Sequence, residues 1–289
     1  MPQSPPPTAD AVLISDSRGW KSILPRLRKA SALAVDMESN GFHRYRESVC
    51  LIQLAVSDAV WILDPLQLLS LDELGEIFAN PDIVKILHSA DYDIRSFDRY
   101  YGFHIRGLFD TSIASAFLGL RTLGLDRVLQ EHLGIGIDKE KSLQKSDWTR
   151  RPLSAEALSY AASDVQHLIP LHSVLIRKLT EAGRLDWVME ECERLESVRF
   201  TPISPPEESV LEAKGFRKLT PRQRAIFRAL YLFRETEARK HDRPPFKVVS
   251  NDVLLSLAEK PEQELTTVKG FPSRASSAFL EGFRQALKR

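Results

Sequence analysis

Short apolar runs separated by polar or turn residues dominate the first part of the chain. Residues 32–38, 49–56 and 59–63 are such runs, and their length and composition predict β-strands. The connection Ser57-Asp58 is tight, so the second and third strands are expected to form a hairpin. Three sequential strands with short loops favour an antiparallel meander.

The pattern then alternates between strand and helix. A further strand is predicted over 83–87. Amphipathic helices are predicted over 71–78, 91–101, 111–118 and 125–133. Ser154 is placed to cap a longer helix, whose apolar positions recur as far as Leu171. A meander followed by alternating helices and strands predicts an α/β fold, a mixed β-sheet flanked by helices.

Prolines mark the division of the chain into domains. Three of them fall within the seven residues from Phe200 to Pro206, which is typical of a linker. Beyond it, Thr220 followed by Pro221 predicts the start of a helix, and further helix starts are expected near Asn251 and Pro272. The predicted organisation is a disordered tail at 1–10, a first domain over 11–200, a linker over 201–213 and a small all-α domain over 214–289.

Charge is distributed unevenly along the chain. The segment from Lys214 onwards has 17 Lys and Arg against 8 Asp and Glu, a net charge of +9. The whole chain carries +1, so the preceding residues carry −8. Clustered carboxylates can hold metal ions, and clustered Lys and Arg can hold phosphates. A merely solvated basic surface is the alternative.

Composition and cysteine spacing indicate the cellular compartment. No run approaches the roughly 18 apolar residues of a membrane span, and the first residues lack the basic start and apolar core of a signal peptide. The two cysteines, Cys50 and Cys192, are far apart and show no CxxC spacing, which argues against a disulfide scaffold or a zinc site. We therefore expect a cytoplasmic protein with no membrane partner.

An acidic pair ends the first predicted strand. Asp36 and Glu38 are two residues apart, so their side chains point to one face. Two anionic groups at the end of an apolar strand are unfavourable unless a cation or hydrogen bonds compensate them. Magnesium and manganese suit such oxygen ligands. Taken alone, the pair is also typical of a solvated surface.

Two further acidic positions follow along the chain. Tyr160 and Asp164 are four residues apart on a predicted helix and share a face. Asp91 and Asp93 fall at a helix start, where aspartate is also favoured for structural reasons. Each position has a structural alternative. The functional prediction rests on the order of these positions along the chain. An acidic pair on a strand comes first, an aspartate after a later strand comes next, and YxxxD on a late helix comes last.

A series of motifs carries a family resemblance. They are VDMES at 35–39, VCLIQLA at 49–55, ILHSADYDI at 86–94, GLFDTSIAS at 107–115, LGLDRVLQEHLGI at 123–135, KSDWTRRPLS at 145–154 and LSYAASDV at 158–165. On these motifs the chain resembles ribonuclease D, a DEDDy-type 3′→5′ exonuclease with a ribonuclease H-like fold. Residues 217–289 resemble an HRDC domain, a helical nucleic-acid-binding module.

The resemblance implies a metal-dependent catalytic site. Asp36, Glu38 and Asp164 would bind one divalent ion, Mg²⁺ or Mn²⁺, and Asp36 and Asp93 a second. Tyr160 would position the attacking water or help to deprotonate it. Asp93 is preferred to Asp91 because the family motif places its aspartate just before an aliphatic residue, here Ile94.

The implied substrate is RNA with a free 3′ end, tRNA precursors in particular, shortened by release of nucleoside 5′-monophosphates. A monomeric enzyme is expected. Two alternatives stay open: a DNA exonuclease that uses the same site on single-stranded DNA, and an inactive nucleic-acid-binding adaptor. The motifs do not distinguish ribose from deoxyribose, because contacts to the 2′-hydroxyl are not readable in them.

Further residues are candidates for substrate contacts. In the first domain they are Asn40, Phe42, His43, His88, Lys139, Gln144 and Trp148. In the second domain the nucleic-acid-binding candidates are Arg217, Lys218, Arg222, Arg224 and Lys269. Structural alternatives are an ordinary loop for residues 40–43, a hydrogen-bonded histidine at 88 and core packing for Trp148. Asp110 is expected to cap a helix instead of serving as a fifth ligand.

Overall fold

The computed structural model describes residues 11–137, 141–272 and 277–288. The chain forms two compact units. The first comprises the residues up to Asn40 together with Ser48–Thr201, and the second comprises Gly41–Glu47 together with the chain from Pro202. The predicted tail at 1–10 and the candidate Lys139 lie outside the described residues.

The first unit contains one six-stranded mixed sheet with the strand order β1-β4-β3-β2-β5-β6. Its strands are β1 (Val12–Ile14), β2 (Ala32–Ser39), β3 (Val49–Val56), β4 (Ala59–Leu63), β5 (Val84–Leu87) and β6 (Leu108–Asp110). The antiparallel pairings β2–β3 and β3–β4 confirm the predicted meander. Parallel pairing joins β1 to β4, β5 to β2 and β6 to β5. β1 and β6 were not predicted, because three residues are too few to show a period.

Helices of the first unit follow the strands. They are α1 (Ser17–Lys29), α2 (Asp72–Ala79), α3 (Asp91–Tyr101), α4 (Thr111–Phe117), α5 (Leu125–Leu133), α6 (Lys141–Gln144), α7 (Ala155–Ser163), α8 (Leu168–Glu181) and α9 (Leu185–Glu196). The predicted helices α2 to α5 are present with ends shifted by no more than one residue. α1 and α9 were not predicted.

The prediction of one long helix from Ser154 through Leu171 is wrong. The helix stops at Ser163 and restarts at Leu168. Pro170 supplies the reason, because proline lacks an N–H and its ring clashes with the carbonyl four residues earlier. It fits the first turn of a new helix but not the interior of a continuous one. Ser154 caps α7 as expected, and its side chain accepts a hydrogen bond from the Ala157 N–H.

The sheet is covered on both faces. Every residue of β3 from Val49 to Ala55 is buried, including Gln53. Helices therefore pack against both sides of the central strands, and the mixed sheet with flanking helices confirms the predicted fold class. Among the described helices, none has the length and apolar character needed to cross a bilayer.

The second unit is helical and has its own core. Its helices are α10 (Pro206–Ser209), α11 (Pro221–Lys240), α12 (Pro245–Val248), α13 (Asn251–Glu259) and α14 (Ser277–Leu287), and short 3-10 turns occupy Val210–Glu212, Phe216–Lys218 and Leu265–Thr267. Thr220 and Gln223 form a capping box at the start of α11. Phe227, Leu230 and Phe283 are buried at its centre.

The segment 201–213, expected as a linker, is largely structured. It contains α10 and the first 3-10 turn. Val210 is fully buried in the core of the second unit. The prolines suggested an extended connection, but Pro205 and Pro206 instead stand at the start of a helical turn, where a missing N–H is tolerated.

Candidate active site

The site forms where two parallel strands end. β2 and β5 are neighbours with Ala34 opposite Ile86, so their carboxyl ends lie at the same edge of the sheet. Asp36 and Glu38 occupy that end of β2. The turn that follows β5 leads there into α3. Such an edge of an α/β sheet is a common position for ligand sites.

The side chains of Asp36, Glu38, Tyr160 and Asp164 line one cavity of about 800 Å³. Asp164 is the residue at which α7 ends, one turn after Tyr160. No lysine or arginine is among the described residues that line the cavity. The cavity wall is therefore strongly acidic.

Asp93 faces the same carboxylates from the first turn of α3. It is buried, with 6% of its surface exposed. Burial raises the pKa of Asp93 well above its usual range, and the nearby charges of Asp36, Asp110 and Asp164 raise that pKa further. Asp91, the alternative, is exposed and forms an ion pair with Arg95 at 2.9 Å. The structure thus brings Asp93, and not Asp91, to the acidic cluster.

Tyr160 is buried beside the carboxylates. Its pKa is raised by burial first, and then by the charges of Asp164, Glu38 and Asp36. The phenol is consequently protonated near neutral pH. In that state Tyr160 can donate a hydrogen bond to a water or a phosphate oxygen, which is a positioning role.

The ligand chemistry fits a hard divalent cation. The four carboxylates offer only oxygen donors, as Mg²⁺ and Mn²⁺ prefer. Among the described residues, no group of three His, Cys, Asp or Glu side chains is close enough together to hold a metal ion as it stands. Like-charged carboxylates repel one another. A divalent cation would compensate this repulsion, and the four carboxylates are the residues that would hold it.

Several predicted substrate contacts lie at or near the cavity. Gln144 and His88 line it. The ring of His88 is engaged on both sides, with Nδ1 2.8 Å from Thr111 Oγ1 and Nε2 2.7 Å from the Leu123 carbonyl oxygen. These contacts are those of a structural histidine. Trp148 does not line the cavity; it is 2% exposed, and its ring centre is 6.0 Å from that of Tyr160.

Other candidates are not among the described residues that line the cavity. Asn40 is 4% exposed, and its side-chain amide closes the base of a loop through hydrogen bonds of 2.8 Å with Ser48. Phe42 and His43 belong to the second unit, where the ring of Phe42 packs edge-on against Phe246. The basic candidates of the second unit are all exposed: Arg217, Lys218, Arg222, Arg224 and Lys269.

Two residues of the site were missed in the sequence. Asp126, at the start of α5, adds another carboxylate to the cavity wall. Gln53 on β3 lies directly opposite Asp36 and is fully buried, and neither polar atom of its amide has a hydrogen-bond partner among the described residues. Gln53 sits within the motif VCLIQLA, and a glutamine in an otherwise apolar strand is the signal that would have identified it.

Comparison with known proteins identifies the class. Residues 11–180 match the family described as 3′-5′ exonuclease, and residues 223–287 match the HRDC domain. The fold and the acidic cavity are those of an exonuclease domain that is followed by a helical HRDC domain.

Three similar proteins identify the family more closely. The chain is 33% identical over 273 residues to ribonuclease D of Acidiphilium cryptum, which covers 93% of this chain and 69% of that protein. The catalytic core of RRP6 from Trypanosoma brucei gives a TM-score of 0.82 at 26% identity, over 99% of this chain and 81% of that one. Escherichia coli RNase D gives 0.71 at 26% identity, over 96% and 74%. The chain belongs to the ribonuclease D family, which confirms the resemblance inferred from its motifs.

The chain matches only part of the length of its relatives. The chain spans 63% to 65% of the length of three other ribonuclease D proteins that it matches. Its activity and substrates are therefore matters for proposal.

Proposed function

We propose that this protein is a 3′→5′ exoribonuclease that hydrolyses RNA from its 3′ end with the help of two divalent metal ions. The observation that carries the proposal is the acidic cavity at the carboxyl ends of β2 and β5, lined by Asp36, Glu38, Tyr160 and Asp164 in a chain of the ribonuclease D family. Asp93 faces the same group of carboxylates.

Each acidic side chain has a proposed ligand role. Asp36, Glu38 and Asp164 would hold one ion, and Asp36 and Asp93 would hold the other. Two such ions, when bound, neutralise the phosphate and activate a water in phosphodiester hydrolysis. The water oxygen attacks phosphorus, the bond from phosphorus to the 3′ oxygen breaks, and the leaving 3′ oxygen takes up a proton. The products are a nucleoside 5′-monophosphate and an RNA that is one nucleotide shorter.

Tyr160 is assigned a positioning role for the water. Its phenol is protonated, since burial and the neighbouring carboxylates raise its pKa. It can therefore donate a hydrogen bond at the edge of the acidic cluster. We favour this role over removal of the water's proton by a tyrosinate, because a second full negative charge beside Asp164 would be unfavourable.

We propose structured RNA as the substrate class, with tRNA precursors as the leading members. The crystal structure of Escherichia coli RNase D is described as that of an exoribonuclease involved in structured RNA processing. Single-stranded DNA is the second candidate, because the carboxylates act on the phosphate, which RNA and DNA share. We place the enzyme in the cytoplasm as a monomer; its buried cysteines Cys50 and Cys192 are both free thiols, as a reducing compartment favours.

Incubation with labelled nucleic acid tests the activity. With 5′-labelled RNA and Mg²⁺ or Mn²⁺, we expect a ladder that shortens one nucleotide at a time from the 3′ end. EDTA should abolish it, since the carboxylates alone do not activate water. A matched DNA strand measures the preference for ribose. Internal cuts, or cleavage that persists in EDTA, would contradict the proposal.

We further propose that the second unit binds the RNA backbone through its exposed basic residues. Replacing Arg217, Lys218 and Arg222 with alanine should weaken RNA binding, with the slope of log K against log salt falling by about 0.7 for each lost phosphate contact. Fluorescence anisotropy at several salt concentrations measures the slope.

A matched variant controls for the loss of positive charge. Arg18, Lys21 and Lys29 are exposed basic residues of the first unit, at and near α1. Their replacement with alanine removes the same charge from a different surface. Equal slopes for the two triple variants would remove the case for a specific binding role of the second unit.

A further inference from the structure

Asp110 is a buried carboxylate for which the proposed chemistry has no use. It ends β6, and only 1% of its surface is exposed. Its Oδ1 accepts hydrogen bonds from the N–H groups of Ser112 at 2.7 Å and Ile113 at 3.2 Å. These two bonds cap α4, as the sequence predicted.

The same carboxylate also holds a second segment of the chain. Its Oδ1 accepts a hydrogen bond from Ser89 N–H at 3.1 Å, and its Oδ2 accepts one from Ala90 N–H at 2.8 Å. Ser89 and Ala90 form the turn between β5 and α3. A helix cap needs only one side-chain oxygen for its own helix. In Asp110 both oxygens also accept hydrogen bonds from N–H groups of a turn about twenty residues earlier in the sequence.

That turn is strained. Ser89 has a φ of 61°, and Asp242 is the only other non-glycine residue with positive φ in the described part of the chain. A left-handed conformation is unfavourable for a residue with a Cβ atom, and it persists only where the surroundings impose it. Ser89 also lines the active-site cavity.

Thr111 supports the turn beside Asp110. Its hydroxyl donates to the Leu87 carbonyl oxygen at 3.0 Å and lies 2.8 Å from His88 Nδ1. Thr111 is itself fully buried. Asp110 and Thr111 thus contact four successive residues, from Leu87 to Ala90. We call these two residues the Asp110–Thr111 brace.

The braced turn fixes where α3 begins. Ala90 is the N-cap residue of α3, and it has no side-chain oxygen with which to cap the helix. Its carbonyl accepts the first helical hydrogen bond from Ile94 N–H at 2.9 Å, while its own N–H is held by Asp110. Asp93 lies in the first turn, three residues from Ala90. Any shift of Ala90 therefore moves the Asp93 carboxylate directly.

We propose that the Asp110–Thr111 brace is a positioning device that sets the place of the Asp93 carboxylate in the acidic cluster. The inference rests on the proposed function through the ligand role of Asp93. Both carboxylate oxygens of Asp110 are already occupied by four backbone N–H groups, so it acts through the turn and not as a ligand. Groups that orient metal ligands in this way typically change metal affinity by about 10- to 100-fold when they are replaced.

Asp110→Asn is the direct test. The amide has the shape of the carboxylate but only one accepting oxygen. In one orientation Ala90 N–H loses its acceptor, and in the other Ser89 N–H loses it together with the α4 cap, so the turn is weakened in both. Binding of Mn²⁺ to the full-length protein without RNA, followed by electron paramagnetic resonance, should weaken by about 10- to 100-fold. With RNA, kcat should fall while KM stays near the wild-type value, because contacts to the RNA strand are unchanged.

Asp16→Asn is the matched control. Asp16 caps α1 by accepting a hydrogen bond from Gly19 N–H at 2.7 Å, so the same substitution removes a helix cap that does not face the cavity. It should leave Mn²⁺ affinity unchanged. If Asp110→Asn also leaves Mn²⁺ affinity unchanged, or lowers it no more than Asp16→Asn does, the brace does not position Asp93.

Two additional variants separate the possible failures. Thr111→Val keeps the side-chain shape and the Asp110 cap. It replaces Asp110→Asn as the test if that variant does not fold. Unchanged Mn²⁺ affinity in Thr111→Val would overturn the inference. Asp93→Asn reports on the proposed function. If it leaves Mn²⁺ affinity unchanged, the metal assignment is at fault; if it lowers the affinity while both brace variants do not, only the positioning inference fails.

Discussion

Asp36→Ala should reduce kcat/KM for RNA hydrolysis by about a thousandfold, equivalent to about 4 kcal/mol of lost transition-state stabilisation. Asp36 is the one carboxylate proposed to bind both ions. It is also the charge that acts most strongly on the buried Asp93. Steady-state rates with 5′-labelled RNA in Mg²⁺ and in Mn²⁺ measure the loss.

Stability separates this effect from misfolding. In the absence of divalent ions, removing one of several crowded carboxylates relieves repulsion, so the thermal stability of Asp36→Ala should equal or exceed that of the wild type. Asp91→Ala is the matched control, because Asp91 is exposed and paired with Arg95. It should retain near wild-type activity. Full activity in Asp36→Ala would rule out the metal assignment.

Arg151→Met should lower the free energy of unfolding by about 3–5 kcal/mol. The Arg151 guanidinium contacts both carboxylate oxygens of Asp64, at 2.6 and 2.8 Å. The Asp64 side chain is fully buried and that of Arg151 is 21% exposed. Removing the cation leaves a buried carboxylate with hydrogen bonds from Leu66 and Gln67 alone among the described residues.

Arg151 also joins separate parts of the first unit. It donates to the carbonyl oxygens of Cys50 on β3 and of Trp148 and Arg150 in the segment that leads to α7. Its loss therefore detaches that segment from the sheet as well as breaking an ion pair. Arg151→Lys should not restore stability, because an ammonium group cannot form the two-pronged contact.

Urea unfolding followed by tryptophan fluorescence measures this effect in the first unit, since all four tryptophans (Trp20, Trp61, Trp148 and Trp187) lie there. Arg194→Met is the control. Arg194 pairs with Glu190 and Glu191 on an exposed helix face, and such surface pairs contribute less than about 1 kcal/mol. An equal loss of unfolding free energy in the two variants would show that the buried Asp64–Arg151 pair contributes no more to stability than an exposed pair.

The sequence alone determined the features that depend on local pattern. The runs that form β2, β3 and β4 carry alternating or continuous apolar residues, and helices α2 to α5 carry a helical period, so both were predictable. The order of the acidic motifs likewise predicted the family. The family motif, which places its aspartate just before an aliphatic residue, singled out Asp93 ahead of Ile94, and the structure buries this aspartate near Asp36 and Asp164.

Only the tertiary structure decided the features that depend on distant contacts. β1 and β6 are strands because they pair with β4 and β5, and three residues carry no period of their own. A hydrogen-bonded His88 was one interpretation of the sequence, but its partners Thr111 and Leu123 could not be inferred, since they are far away along the chain.

The four carboxylates show the same division. Their identity and order are written in the sequence, and helix and strand periodicity explain why Asp36 and Glu38, or Tyr160 and Asp164, share a face. Their meeting in one acidic cluster requires β2 and β5 to lie side by side, with a braced turn leading into α3. That turn owes its strained Ser89 to Asp110, about twenty residues later, because a local sequence cannot by itself stabilise a conformation that is locally unfavourable.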